Sequence, residues 1–244
     1  MKTRVLIVFS LILVATACKG PGNTTAPILL FNGTGTSAND VAAIETILEN
    51  NHLSYSTANS SQLNGMSESQ MRRYRLLIIP GGNFIDMGNS LAKSTTANIH
   101  NAVQHGLNYL GICAGGFLAG KSGYYNGLNL AAGVTFGFYS AENQGIHKAV
   151  VAIAGPGTPW LDQYWEDGPQ FTGWGAVAAK YPDGTPAIVE GTCGRGWVIL
   201  TGIHAEAPAA WRNGMTFNTP VSTDIAYALL LIRNALNRVA LPHY

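Results

Sequence analysis

Three residues in this chain have the types and settings for covalent chemistry: Cys113, His204 and Glu206. Cys113 lies in Gly111-Ile112-Cys113-Ala114-Gly115-Gly116, between an apolar run that enters at Leu107 and a helix-like segment leaving through Phe117, Leu118 and Ala119. The pattern is that of a strand, a sharp turn and a helix, with the sulfur at the turn. Glycines let such a turn be tight and strained, and the nucleophile is lifted clear of the sheet. A helix starting there aims the positive end of its dipole at the sulfur, which favours the thiolate. Far downstream, Trp197 to Thr201 reads as a buried strand running out into His204-Ala205-Glu206. Residues two apart in an extended segment face the same way, so both side chains can point at one site. A cysteine nucleophile needs a base for its proton and a carboxylate to fix the imidazole tautomer, and these three residues supply the set. The backbone N–H of Ala114, with one from Gly81 or Gly82, can hold an oxyanion; losing one such donor costs about 2.7–4 kcal/mol in the barrier.

Other chemistries are poorly served. His100 and His105 share a helix but have no partner at metal spacing, and no HExxH, CxxC or dense acidic cluster suggests a metal. Gly33-Thr34-Gly35 lacks the lysine and the spacing of a phosphate loop, and no motif implies a cofactor. A formal charge of +1 without a basic stripe argues against nucleic acid. Cys193 falls in Gly191–Gly196, which reads as a hairpin loop. A disulfide to Cys193 would silence the nucleophile, so both thiols are expected free. Tyr139, Glu142, Trp165 and Trp174 are candidates either to line a cleft or to fill the core.

The elements that must position these residues follow from the pattern of apolar runs. The chain has 244 residues, 47% hydrophobic and 11% charged, enough for one large domain with a substantial core. Residues 1–17 read as an export signal: Lys2 and Arg4, an apolar stretch from Val5 to Val14 too short to span a bilayer, then Ala15-Thr16-Ala17. Cys18 follows at once, as in a bacterial lipoprotein, where it would be the lipidated first residue; residues 18–25 read as a flexible tether. Buried strands are expected at Pro27 to Phe31, Leu53 to Thr57 and Arg75 to Ile79, with helices between them. Val41, Ile44, Ile47 and Leu48 mark the first helix, a Ser67–Gln70 capping box a short one, and Thr95 to His105 the one leading to the cysteine strand. This β-α alternation predicts a parallel sheet covered on both faces, with functional residues at the carboxyl ends of its strands. The second half is less regular: strands at Lys148 to Ala154, Gly175 to Tyr181, Ala187 to Glu190 and Trp197 to Thr201, a polar-aromatic loop over Asp162 to Phe171, and a closing helix from Thr223 to Val239.

Pro80-Gly81-Gly82, Gly111–Gly116 around Cys113, and His204-Ala205-Glu206 together resemble the class I glutamine amidotransferase-like superfamily. Within it the chain is most similar to the domain at the amino terminus of eukaryotic biotin-protein ligases, through Gly111–Gly116, Asp167-Gly168-Pro169-Gln170-Phe171 and Tyr181–Val189. The resemblance runs from about Ala26 to Leu241. It implies a flavodoxin-like three-layer α/β sandwich with a mostly parallel central sheet, a Cys113-His204-Glu206 triad, an oxyanion hole of Gly81, Gly82 and Ala114, and substrate contacts from Asp167, Gly168, Phe171 and Tyr139. Two departures stand out: Ala205 replaces the family's usual proline, and Asp167 stands where related proteins more often have asparagine. No ligase or synthetase domain is legible, so neither biotin ligation nor ammonia hand-over is expected.

The function expected is that of an exported cysteine hydrolase of C–N bonds, acting in the bacterial cell envelope as a lipoprotein or in secreted form, on a small-molecule or peptide amide, with no cofactor and with the membrane met through the lipid anchor only. The alternative is a non-catalytic envelope binding module that kept the pocket. A cysteine–carboxylate site needs an acid early in the chain near the thiol, and Glu45 and Glu49 read as helix-surface residues instead. The substrate and the oligomeric state are not legible in the sequence.

Overall fold

A computed structural model describes residues 26–244; the signal-like segment, Cys18 and the tether lie outside the described residues. The first half runs β1 (Ile28–Phe31), α1 (Ala38–Asn50), β2 (Tyr55–Ala58), α2 (Ser60–Asn64), α3 (Glu68–Met71), β3 (Leu76–Ile79), α4 (Phe84–Ser90), α5 (Lys93–Gln104), β4 (Asn108–Ile112) and α6 (Ala114–Ala119). The second half adds β5 (Gly137–Phe138), β6 (Lys148–Ile153), β7 (Leu161–Glu166), β8 (Pro169–Gln170), β9 (Ala176–Lys180), β10 (Pro186–Cys193), β11 (Gly196–Thr201) and α7 (Val221–Asn237).

β1, β3 and β4 are buried along their whole length. Strands covered on both faces need continuous apolar runs, and Ile-Leu-Leu-Phe and Leu-Leu-Ile-Ile provide them. The seven-stranded sheet has the order β2-β1-β3-β4-β11-β10-β9; β2, β1, β3, β4 and β11 are parallel, and β10 and β9 are added antiparallel. One face packs against α1 and α7 through Ile44, Leu48, Leu231 and Ile232. The other packs against the remaining helices through Met71, Ile99, Val103 and Leu118. This is the three-layer sandwich expected. Side-chain caps start the helices where the sequence signals them: Ser37 accepts from the Asp40 N–H, and Ser67 and Gln70 form a capping box.

Two expectations need correction. Asp162 to Phe171 is not a loop: β7 occupies its first half and pairs antiparallel with β6 as a two-stranded ribbon outside the main sheet, and β8 pairs with β5. Gln163, its one fully buried polar residue, is reached by a partner, donating to Asp224 Oδ1 at 2.6 Å. Cys193 is the last residue of β10, paired with Gly196; the turn is Gly194-Arg195, with Gly194 at φ 58°. The helices α2 and α4 were not anticipated.

The outer side of β9 is engaged as well. Ala154 and Lys180 exchange both backbone hydrogen bonds, and the Tyr244 N–H donates to the Val177 carbonyl at 3.0 Å. The tail is held there by the buried Glu190, which accepts from the Leu241 N–H at 2.7 Å and pairs with His243.

Candidate active site

Because β1, β3, β4 and β11 are parallel, the loops that follow them emerge at one edge of the sheet. They are laced together by backbone hydrogen bonds: Ser37 N–H to Gly81 O (3.0 Å), Asn83 N–H to Gly35 O (2.8 Å), Gly115 N–H to Pro80 O (3.2 Å) and Cys113 N–H to Thr201 O (2.8 Å). Asp40, Gly82, Cys113 and His204 come from four different loops or helix starts, and they line one cavity of about 520 Å³.

Cys113 has φ 48° and ψ −104°, a conformation that costs a non-glycine residue of order 1–3 kcal/mol. Its neighbours explain how the turn is held. A Cβ on Gly115 would lie 2.1 Å from Ile79 O, and one on Gly111 would lie 2.5 Å from Gly115 O. The turn is therefore pressed onto β3 as tightly as bare backbone allows. The thiol is 5% exposed, and Sγ donates to the Glu166 carbonyl at 3.5 Å. Among the described residues no hydrogen bond joins it to the imidazole, and no backbone hydrogen bond occupies the N–H of Gly81, Gly82 or Ala114. Gly82 lines the cavity; Gly81 and Ala114 are buried behind it. Cys193 is also free and buried, and burial pushes its thiol above the ordinary value.

His204 is buried beside Tyr164 and Trp211, and its N–H donates to Tyr164 O at 2.9 Å. Nδ1 is hydrogen-bonded to Glu206 Oε1 at 2.8 Å, the contact expected from His-x-Glu. A second carboxylate, not anticipated, reaches the same nitrogen: Asp40 Oδ1 lies 2.9 Å away. That oxygen makes no hydrogen bond, so it sits off the N–H axis and contributes charge rather than a directed bond. Burial alone would pull the imidazole down, but the negative charges of Cys113, Asp40 and Glu206 outweigh it and hold His204 well above its ordinary range. The carboxylates diverge. Burial pushes Asp40 up, yet the facing charge of His204 brings it below the usual value. Glu206 is raised, first by burial and then by the charge of Asp40, despite His204 opposing. Separations of 2.8 and 2.9 Å suit a proton; zinc with ligands at about 2.0 Å would hold tetrahedral donors about 3.3 Å apart.

Of the four residues expected to meet substrate, Asp167 lines the cavity, at φ 43° and paired with His147 at 2.9 Å. The other three are placed in packing instead. Tyr139 stacks on Tyr181 at 4.0 Å, Phe171 is fully buried against Phe136, and Gly168 lies where a Cβ would meet Gly202 O at 1.9 Å. Bulky rings and close backbone contacts at those positions serve the core. The cavity's apolar wall was missed: Phe84, Phe117 and Phe138, with Phe84 stacked on Phe117 at 4.3 Å and Phe138 edge-on at 4.9 Å. They come from α4, α6 and β5, and two of those elements gave no sequence signal.

This arrangement of sheet, elbow and loops is the class I glutamine amidotransferase-like fold. Residues 26–145, which include Asp40, Gly81, Gly82 and Cys113, match the family described as biotin-protein ligase, N terminal. A glutamine amidotransferase structure superposes with a TM-score of 0.54 at 19% identity, covering 74% of this chain and 90% of that one. A glutamine amidotransferase from Thermotoga maritima gives 0.56 at 13% identity, covering 87% and 97%. The fold also matches part of a larger enzyme, a GH42 β-galactosidase from G. stearothermophilus, with a TM-score of 0.52 at 14% identity over 89% of this chain and 30% of that one. No curated protein sequence matches the chain significantly.

Proposed function

We propose that this chain is an exported cysteine hydrolase that cleaves the C–N bond of an amide or peptide. One observation carries the reading: a cysteine held at a strained strand–helix turn lines the same cavity as a buried histidine whose Nδ1 is bound by a glutamate. In the reaction the Cys113 thiolate attacks the carbonyl carbon, and the oxyanion is received by the unoccupied N–H groups of Gly81, Gly82 and Ala114. The tetrahedral intermediate collapses as His204 delivers a proton to the leaving amine, giving a thioester. Water then attacks the thioester, His204 takes its proton, and the acid leaves with Cys113 restored. The fold class supports C–N chemistry. Among the cavity's lining residues there is no lysine or arginine to receive the carboxylate of free glutamine, while the phenyl wall suits an apolar group on the substrate. Export, with Cys18 as the lipid anchor and the envelope as location, is part of the same proposal and rests on residues 1–18.

The test is covalent labelling with a small electrophile. Wild-type protein should be labelled once, at Cys113, and Cys113→Ala should be unlabelled with an unchanged circular dichroism spectrum. Labelling that persists in the variant would sink the reading. The second reading, a binding module, is favoured by one fact: the thiol hydrogen bond goes to Glu166 O rather than to His204. Such contacts often tighten only when substrate is bound. Turnover of an amide panel by wild type but not by Cys113→Ala supports the hydrolase; retention of intact amides by both supports the module.

A further inference from the structure

We propose that Asp40 is a positioning residue of this site: its carboxylate sets a buried negative charge against the His204 ring, while Glu206 supplies the hydrogen-bond acceptor that orients the ring. The inference rests on the hydrolase reading for its catalytic meaning, but not for its physical content. Its basis is geometric. Two carboxylate oxygens meet one nitrogen at 2.8 and 2.9 Å, and only that of Glu206 lies on the N–H axis. Asp40 is 5% exposed, and its Oδ1 accepts no hydrogen bond. A buried, unsatisfied carboxylate oxygen is costly unless a cation faces it, and the nearest candidate is His204.

The backbone is arranged to permit this contact. Asp40 stands in the first turn of α1, whose start is tied to the β3 loop through Ser37 N–H and Gly81 O. A Cβ on Gly81 would lie 2.4 Å from Asp40 Oδ1 and 2.6 Å from His204 Cε1, so the residue there must be glycine for the pair to form. The titratable and polar groups facing Asp40 are few. Ser37 belongs to its own helix start, His204 and Glu206 to the loop after β11, Cys113 to the turn after β4, and Tyr164 to β7, where its hydroxyl is bound by Glu166 at 2.5 Å. His204 is the one base among them that can carry positive charge.

A single substitution tests the charge: Asp40 changed to asparagine keeps the shape of the side chain and removes the charge that faces His204. Imidazole nitrogen NMR on uniformly labelled full-length domain, with His204 assigned through His204→Gln, reads the proton directly and needs no turnover. Wild type should hold the imidazolium far into the alkaline range. Asp40→Asn should lower the His204 midpoint by about one pH unit or more, a tenfold loss of proton affinity. The alkaline limb of Cys113 alkylation should move down in pH in the same variant. If Asp40→Asn fails to fold, carboxyl-carbon NMR on wild type decides: Asp40 should titrate below the ordinary carboxylate range. An unchanged His204 midpoint in Asp40→Asn, or Asp40 titrating within or above that range, overturns the proposal. A protein that shows these shifts yet turns over no amide would leave the charge assignment standing and the hydrolase reading failed.

Discussion

A methyl group added to Gly81 would have nowhere to go. It would meet the Asp40 carboxylate and the His204 ring at once, so Gly81→Ala should cost about 1–3 kcal/mol by urea unfolding and should also slow Cys113 alkylation. A surface glycine such as Gly123, with no atom within 4 Å of its Cβ position, should tolerate the same change. His204 makes a second residue-level prediction. Its folded proton affinity is raised, so the stabilisation is complete below the unfolded value of about 6.5 and is lost as pH rises through the folded one. The melting-temperature advantage of wild type over His204→Gln should therefore be largest in mild acid and shrink on the alkaline side; an advantage that grows with pH would contradict the charge state argued here. Cys113, His204 and Glu206 were legible because each lies in a short local pattern beside a strand. Asp40 was not. In sequence it is an acid in a helix's first turn, where the dipole alone explains it, and nothing local marks it as buried.

At the scale of elements, the start of α7 is fastened to the β6–β7 ribbon through a buried ion pair. Asp224 receives Arg212 and also accepts from Gln163 of β7. Asp224→Ala would leave Arg212, 7% exposed, without a counter-charge; the expected loss is about 3–5 kcal/mol, read from a guanidinium-chloride midpoint. Replacing both partners with apolar residues of similar volume should cost far less. The ribbon also explains a misreading. Asp162, Gln163 and Glu166 gave that stretch the polarity of a loop, but Tyr164 and Trp165 are strand formers, and two of the polar residues find partners in distant parts of the chain: Thr219 and Asn218 for Asp162, Asp224 for the Gln163 amide N–H. Periodicity cannot register a partner dozens of residues away. The same limit hid the phenyl wall, since Phe84, Phe117 and Phe138 adjoin only once three elements have packed.

For the whole molecule, the parallel half of the sheet was readable because strands buried on both faces must be apolar throughout, and few other structures ask for that. The added antiparallel strands β10 and β9 were recognisable as strands, though their place at the end of the sheet depended on topology. That end carries the last consequence. An outermost strand offers unpaired N–H and C=O groups to any other extended chain, and proteins restrain that tendency by covering it. Here Ala154 and the Tyr244 backbone occupy β9, and Glu190 pins the tail in place. Removing residues 241–244 should then do more than expose Glu190. It should open one side of β9 to strand addition, making the shortened protein prone to concentration-dependent self-association in light scattering, while the full-length chain remains monodisperse at that side and leaves β2 as the strand where copies could still join.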